Sequence, residues 1–134
     1  MTLKLINPTS LGTPKGFSHG VLANASGQLL FVAGQIGWDE NQRIVSANFV
    51  EQFDSALANV VAVVKEAGGT AGEIARLVIY VTDKNEYTLN LKAVGDCYRA
   101  HMGRHFPAMA LVEVKGLLED DAKVEIEAVA VLNS

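Results

Sequence analysis

The sequence of 134 residues contains a single cysteine, Cys97, so the chain cannot form an intramolecular disulfide. It also has no CxxC pair and no cysteine–histidine framework of the kind that binds structural zinc. Proteins without disulfides are typical of a reducing compartment, and we therefore expect this one to be cytoplasmic and to hold no metal.

Long hydrophobic runs are missing as well. The longest, residues 29–34, has the length of a strand and is far short of the roughly 20 residues that cross a bilayer. The first residues of the sequence lack the apolar core of about 7–15 residues that marks a signal peptide. We expect neither a membrane anchor nor association with a membrane.

Positive charge is scarce. Lysine and arginine number 11 against 15 aspartates and glutamates, which gives a net charge of −4. A chain with this balance offers no broad basic surface to phosphate backbones, so nucleic acid is not an expected partner. The glycine-rich fingerprints of nucleotide-binding loops and the GxSxG motif of serine hydrolases are absent too, and we expect no cofactor.

Apolar residues are plentiful, at 49% of the total, and their spacing predicts the fold. Three short strands come first, and a turn at residues 24–27 suggests a hairpin between the second strand, which includes Phe17, and the third. A helix after Asn48, a strand, a second helix over residues 83–103 and two further strands follow. We expect one domain over residues 1–134, of class α+β, with a mixed sheet and two helices packed on one face.

The last strand has the clearest pattern. Val124 and Ile126 point to one side of it, whereas Glu125 and Glu127 point to the other. Val129 shares the side of the two glutamates, so that side is apolar over part of its length. Because an exposed apolar half-face on a small sheet is usually covered by another copy of the chain, we expect self-association.

Three motifs, taken together, resemble the RidA/YjgF family. They are residues 33–36 (Ala-Gly-Gln-Ile), residues 106–108 (Phe-Pro-Ala) leading into residues 112–114 (Val-Glu-Val), and residues 124–128 (Val-Glu-Ile-Glu-Ala). The similarity runs over residues 5–132. It implies a fold like that of chorismate mutase, assembled as a homotrimer whose sheets form an inner barrel, with three clefts between neighbouring subunits.

The resemblance also implies an activity. The best-known members of the family hydrolyse reactive enamines and imines, such as 2-aminoacrylate, to 2-keto acids and ammonia, and they need no cofactor. Older names in the family include endoribonuclease and translation initiation inhibitor, but the acidic balance of this sequence argues against RNA cleavage. A small metabolite is therefore the expected ligand.

Two positions match those that carry the family's chemistry. Glu125 corresponds to the residue that organises the attacking water, and Gly34 corresponds to a glycine whose backbone N–H can face a carboxylate. Trp38, which follows shortly after this glycine, could cover the cleft. The resemblance therefore implies that Glu125 is the catalytic residue and that Gly34 contacts the substrate. For Trp38 the default is packing against its own loop, and contact with the substrate is the alternative.

Four other cleft positions depart from the family pattern. The arginine that holds the substrate carboxylate is replaced by Met109, and the cysteine two residues later by Leu111. The cleft tyrosine corresponds to Phe17, and the asparagine of the second helix to Leu91. Methionine supplies no hydrogen-bond donor, so we expect a more apolar pocket and a larger or less acidic substrate. Arg104 is the first candidate for a substitute cation.

Two functions fit this sequence. The first is an enamine or imine deaminase of non-standard specificity, for which an enzyme of the 2-aminomuconate deaminase kind is one option by analogy. The second is a non-catalytic trimer that senses or buffers a metabolite, which the loss of the arginine favours. Release of ammonia from enamines generated in solution would distinguish them.

His101 and His105 have the spacing of the two histidines of a helical metal site. Gly103 lies between them and no further ligand completes the set, so we interpret them as polar residues near Pro107. Cys97 lies on the apolar stripe of the same predicted helix, where a cysteine is most often a small buried hydrophobe.

Overall fold

The fold is described from a computed structural model, which covers residues 3–24 and 26–133. It contains six strands and three helices, besides two short 3₁₀ turns at Thr9–Leu11 and Ala71–Glu73. In chain order these are β1 (Leu3–Ile6), β2 (Gly20–Ala23), β3 (Gln28–Ile36), α1 (Phe49–Glu66), β4 (Ile74–Val81), α2 (Lys84–Thr88), α3 (Leu91–Met102), β5 (Ala108–Glu113) and β6 (Val124–Leu132).

Four of the strands form a mixed sheet in the order β3-β6-β4-β5. β6 pairs antiparallel with both β3 and β4, whereas β4 and β5 run parallel. The parallel pair is joined by α2 and α3, because parallel neighbours need a crossover connection. The expected class, α+β with a mixed sheet, is confirmed.

The predicted hairpin between the second and third strands is wrong. β2 pairs antiparallel with β1 in a separate two-stranded sheet, and it begins at Gly20, so Phe17 lies in the loop before it. The turn itself forms, since Gly27 N–H donates to Asn24 O at 3.3 Å. β3 has nine residues and pairs with the nine-residue β6; a four-residue β2 would leave much of the β3 backbone without partners.

The second predicted helix, residues 83–103, is divided into α2 and α3 by Leu89 and Asn90. Asn90 has φ −125° and ψ 27°, which is not helical, and its side-chain amide donates to Glu86 O at 2.6 Å. Such a local bond gives the backbone an alternative to continuing the helix. Leu89 faces solvent at 82% exposure, so burial does not oppose the break.

One face of the sheet carries the core. α1 packs on β3 and β6, and α3 packs on α1. The helix predicted after Asn48 forms as α1, and the most buried residues of its apolar stripe meet fully buried residues of β4 and β6. These are Phe53, Leu57, Val60 and Val64 on the helix, with Ile74, Leu77, Val81, Val124 and Ile126 on the strands. Within the described residues, no helix is both long and apolar enough to cross a membrane.

Within residues 3–24 and 26–133, no helix packs on the other face of the sheet. Phe31 and Leu29 of β3 are 72% and 63% exposed there, and Phe31 pairs with Val129 of β6. Towards the other end of this face lie Glu125 and Glu127, which alternate with the buried residues of β6 as predicted. We call this surface the open face. Its apolar half is the feature from which self-association was predicted.

Candidate functional site

Gly34 and Glu125 lie against each other at a β-bulge on the open face. The register between β3 and β6 shifts between Val32 and Gln35, where three steps along β3 match two along β6. A Cβ built at position 34 would overlap the Glu125 carboxylate, with its Cδ at 2.7 Å. A bulge leaves the extra residue's backbone groups out of the ladder, and bulges are common beside active sites. The two matched family positions are therefore adjacent.

The two open-face glutamates differ in their hydrogen bonds. The Tyr80 hydroxyl donates to Glu127 Oε1 at 2.6 Å, and this bond, with burial and the charges of Glu127 and Glu125, raises the pKa of Tyr80. The Glu125 carboxylate accepts no hydrogen bond from the described residues, although Tyr80 is its register partner across β4 and β6. Glu127 is thus occupied, and Glu125 is available to a ligand or water.

Three of the predicted contact residues lie near β5. Met109 and Leu111 are register partners of Leu77 and Ile79 in β4, and both pack against the hydrophobic core. They therefore project from the helix-covered face, opposite to Glu125. Phe17 lies next to Ser18 in the loop before β2, so it is close in sequence to the point where that loop meets the start of β5.

The buried Ser18 fixes that loop and was missed in the sequence. Its hydroxyl donates to Phe106 O at 2.5 Å, and its N–H donates to Pro107 O at 3.0 Å. Phe17 also packs edge-on against His19, with ring centroids 5.1 Å apart. A serine in a glycine-rich loop gives no periodic signal, so only the fold could reveal its role.

Leu91 and Trp38 lie elsewhere. Leu91 is the first residue of α3 and is 56% exposed, so it is a surface residue of the single chain. Trp38 follows β3, forms a bridge with Ile44 and lines a cavity of about 480 Å³ beside the acidic connection at residues 119–121. A single chain therefore does not gather the predicted cleft.

The site residues fall into two groups on opposite faces of the sheet. One group is Gly34 with Glu125 on the open face, and the other is Met109 with Leu111 on the helix-covered face. The described chain therefore does not bring these two groups to one side of the sheet.

A groove among the described residues lies at the carboxyl ends of β4 and β5. It has a volume of about 630 Å³ and contains none of the seven predicted site residues. Its lining is Ile44, Ser46, Ala47, Thr82, Lys115, Gly116, Leu117, Asp120, Asp121, Ala122 and Lys123. Two lysines and two aspartates line it, so it presents no field of one sign.

The histidines that were considered as metal ligands have separate partners. His101 Nε2 lies 2.7 Å from Asp54 Oδ1, and His105 Nε2 lies 2.7 Å from Ile74 O. Cys97 is free and half-buried, and burial and the charge of Asp54 raise the pKa of the thiol. In the described part of the chain, no three His, Cys, Asp or Glu side chains are arranged to hold a metal.

Two buried amides of α1, Gln52 and Asn59, were also missed. Gln52 is 0% exposed and bonds to the loop before α1 and to the connection before β6, while Asn59 bonds to the backbone at the end of β3. The available signal was the helical period itself. Gln52 is three residues after Phe49 and four before Ala56, which places a polar side chain on the buried stripe.

The fold and site define a class: an α+β protein with helices on one face of a mixed sheet and a glycine–carboxylate pair at a bulge on the other. Residues 9–132 match the family profile described as Endoribonuclease L-PSP. The chain belongs to this family, which is the RidA/YjgF family recognised from the sequence motifs.

Named relatives and solved structures agree with this assignment. A 2-iminobutanoate/2-iminopropanoate deaminase from Salmonella typhimurium is 35% identical over 108 residues, or 78% of this chain and 80% of that protein. The crystal structure of YyfB, a Rid-family protein of unknown function from Yersinia pestis, has a TM-score of 0.87 at 33% identity and covers 98% of this chain and 100% of that one. For the YjgF gene product of Escherichia coli the TM-score is 0.68 at 32% identity, with 95% and 94% covered.

Proposed function

We propose that this protein is a cytoplasmic homotrimer that hydrolyses an enamine or imine of a small metabolite in clefts between its subunits. The observation that carries the proposal is the contact between Gly34 and Glu125, because it places an unpaired carboxylate beside a backbone bulge. The deaminase name of relatives about one third identical to the chain supports the reaction class.

Glu125 acts as the general base in this proposal. It accepts a proton from a water molecule whose oxygen attacks the imine carbon, and the C=N bond becomes a single bond in a carbinolamine. That proton passes from Glu125 to the nitrogen, which completes the carbinolamine. Glu125 then accepts the hydroxyl proton and returns it to the nitrogen, the C–N bond breaks as the C=O bond forms, and a ketone and ammonia leave. The proposed reaction consumes only the imine and water and needs no cofactor.

Gly34 supplies the contact to the substrate oxygen. A residue in a bulge has backbone groups outside the ladder, so its N–H is available to a carboxylate or carbonyl oxygen. The side-chain amide of Gln35 donates to Ala33 O at 3.1 Å, which satisfies the carbonyl just before this glycine. The Gly34 N–H on β3 and the Glu125 carboxylate on β6 then contact the same ligand from adjacent strands.

The substrate is not the small 2-imino acid of the arginine-bearing relatives. A hydrogen bond to a charged group contributes about 1.5–3 kcal/mol, and Met109 offers no donor in its place. Phe17, Leu91 and Leu111 make the second wall of the cleft apolar in this proposal. We therefore expect weak or undetectable hydrolysis of 2-aminoacrylate and better turnover of a larger or less acidic imine.

Ammonia release from a panel of small and aromatic enamines, generated in the cuvette, tests this function. Glu125→Gln is expected to lower release by about 100-fold, within the usual range for loss of a general base. Glu127→Gln is the matched control, since it removes a carboxylate from the same face and strand but keeps Glu125. Absence of release across the panel, with clear binding of the corresponding keto acids, would favour a metabolite sensor instead.

A further inference from the structure

We propose that Gln52 and Asn59 are positioning residues that hold the two strands of the Gly34–Glu125 pair in catalytic register. This inference rests on the proposed function, in which Glu125 is the general base. Both amides lie on α1, seven residues apart and so on one side of the helix. The hydrogen bonds that the structure gives to Gln52 and Asn59 go to backbone groups of other residues, so these amides act on Gly34 and Glu125 through the backbone.

Gln52 joins three backbone segments that are far apart in sequence. Its Nε2 donates to Ser46 O at 2.8 Å and to Asp121 O at 3.0 Å. Its Oε1 accepts from Lys123 N–H at 2.8 Å. The Gln52 side chain is 0% exposed, so its amide bonds to these backbone groups and not to water.

These bonds fix the start of β6. Lys123 is two residues before Glu125, and a strand rises about 3.3 Å per residue, so the anchor lies roughly 7 Å from the catalytic position along a stiff backbone. The Lys123 ammonium adds a second tether, an ion pair with Glu86 at 2.9 Å. Glu119 and Asp120, earlier in the connection, are exposed. The hydrogen bond from Lys123 N–H to Gln52 is therefore formed at the point where the loop ends and the strand begins.

Asn59 fixes the end of β3 in the same way. Its Nδ2 donates to Ile36 O and Trp38 O, each at 3.1 Å, and Ile36 is the register partner of Glu125. Gly37, between them, lies so close to α1 that a Cβ there would be 2.7 Å from Gln52 Cα. Helix α1 is thus hydrogen-bonded to the end of β3 and to the start of β6, close to the bulge. These bonds limit sliding of β3 against β6.

Steady-state kinetics on Gln52→Met test the proposal. Methionine keeps the length of the side chain but removes all three bonds. We expect kcat to fall about tenfold or more while KM changes less than about threefold, since a misplaced base costs transition-state stabilisation. Val64→Ala, at the far end of the same helix, is the control for lost stability, compared at a matched decrease in melting temperature.

Equal losses of kcat in Gln52→Met and Val64→Ala would overturn the proposal, because stability alone would then explain them. If Gln52→Met does not fold, Asn59→Leu supplies the same test from the half-buried partner. A crystal structure of either variant gives a readout independent of activity: the Glu125 carboxylate is expected to move by about 1 Å or more from Gly34, a displacement of the size that costs catalysis. An unmoved carboxylate overturns the positioning role, whereas an inactive wild type overturns only the proposed function.

Discussion

The carboxylate of Glu125 fills the space in which a side chain at position 34 would begin. A Cβ at that position would lie 2.7 Å from the Glu125 Cδ and 2.9 Å from its Cγ, well inside van der Waals contact. The glycine is therefore required by the glutamate and not by its own backbone angles, since its φ is not positive. The two residues form one structural unit.

Gly34→Ala is expected to displace the Glu125 side chain. Overpacking of this kind costs about 1–3 kcal/mol of unfolding free energy, and ammonia release should fall about tenfold or more because the base moves. Urea unfolding and the enamine assay measure the two effects. Gly116→Ala is the control, because a Cβ there meets nothing within 4 Å. Full activity of Gly34→Ala would show that the reaction does not need this contact.

The protein is expected to be a trimer in solution, and Phe31→Asp is expected to dissociate it. Phe31 is 72% exposed in the single chain, on the apolar half of the open face, where a buried charge in an interface would be costly. Sedimentation velocity at micromolar concentration measures the change.

Leu118→Asp is the matched control for the oligomer experiment. Leu118 is 95% exposed in the connection before β6 and belongs to no strand of the sheet, so its replacement should leave the assembly unchanged. A wild-type chain that sediments as a stable monomer would contradict both the trimer and the clefts between subunits.

Met109→Arg is expected to increase affinity for small 2-keto acids such as 2-ketobutyrate. The guanidinium could supply a bidentate contact worth about 1.5–3 kcal/mol. The gain should be smaller, because Met109 packs against the core and an arginine must extend its stem past these contacts to bring its charge into a cleft. Leu111 and Ala110 also offer nothing to hold the guanidinium still.

Isothermal calorimetry on the wild type and Met109→Arg decides this point. Melting temperature and sedimentation serve as checks that the variant is folded and assembled. An unchanged affinity in a correctly assembled variant would mean that position 109 does not face the ligand, and the correspondence with the family's arginine would then carry no functional meaning here.

Cys97 is expected to react slowly with iodoacetamide at pH 8. Burial and the neighbouring Asp54 raise the pKa of the thiol, so less thiolate is present than in a free cysteine, whose pKa is about 8.5. Asp54→Asn removes a negative charge that opposes ionisation, so the pKa should fall and alkylation should accelerate. Mass spectrometry across pH 7–10 measures the rate of alkylation. Asp96→Asn is the control, because the charge of Asp96 has a smaller effect on the pKa of Cys97 than that of Asp54. Identical pH profiles for wild type and Asp54→Asn would contradict the assigned cause.

The parts of the fold predicted correctly from the sequence are those whose periodicity reflects burial. The stripe from Phe53 to Val64 and the alternation of Val124, Ile126 and Ala128 both follow from one buried side, which a single sequence displays directly. Family motifs added the assignment itself, because residues 33–36, 106–108 and 124–128 occur in the right order.

The errors arose where a local signal competed with a distant one. The turn at residues 24–27 is real, but β3 takes its partner from β6, about a hundred residues later, and no local pattern shows this choice. The break at Asn90 depends on one side-chain bond to Glu86, which an apolar stripe does not reveal.

The candidate site could be predicted only in part for the same reason. Glu125 and Gly34 were found by matching motifs, and their contact needed only the pairing of β3 with β6. Which face Met109 and Leu111 occupy depends on the parallel register with β4, and that register is set by the whole α2–α3 crossover. Gln52 and Ser18 act through hydrogen bonds that span the fold.

The position of β6 in the middle of the sheet has a consequence for biosynthesis. β6 is the last strand in chain order, yet Gln28 and Ile74 of its two neighbours pair with Leu132 and Ala130 at its far end. A nascent chain therefore holds β3 and β4 without their common partner until β6 has left the ribosome, with exposed strand edges that invite aggregation. Closing the sheet therefore joins segments about a hundred residues apart, and pairings of such long sequence separation slow folding.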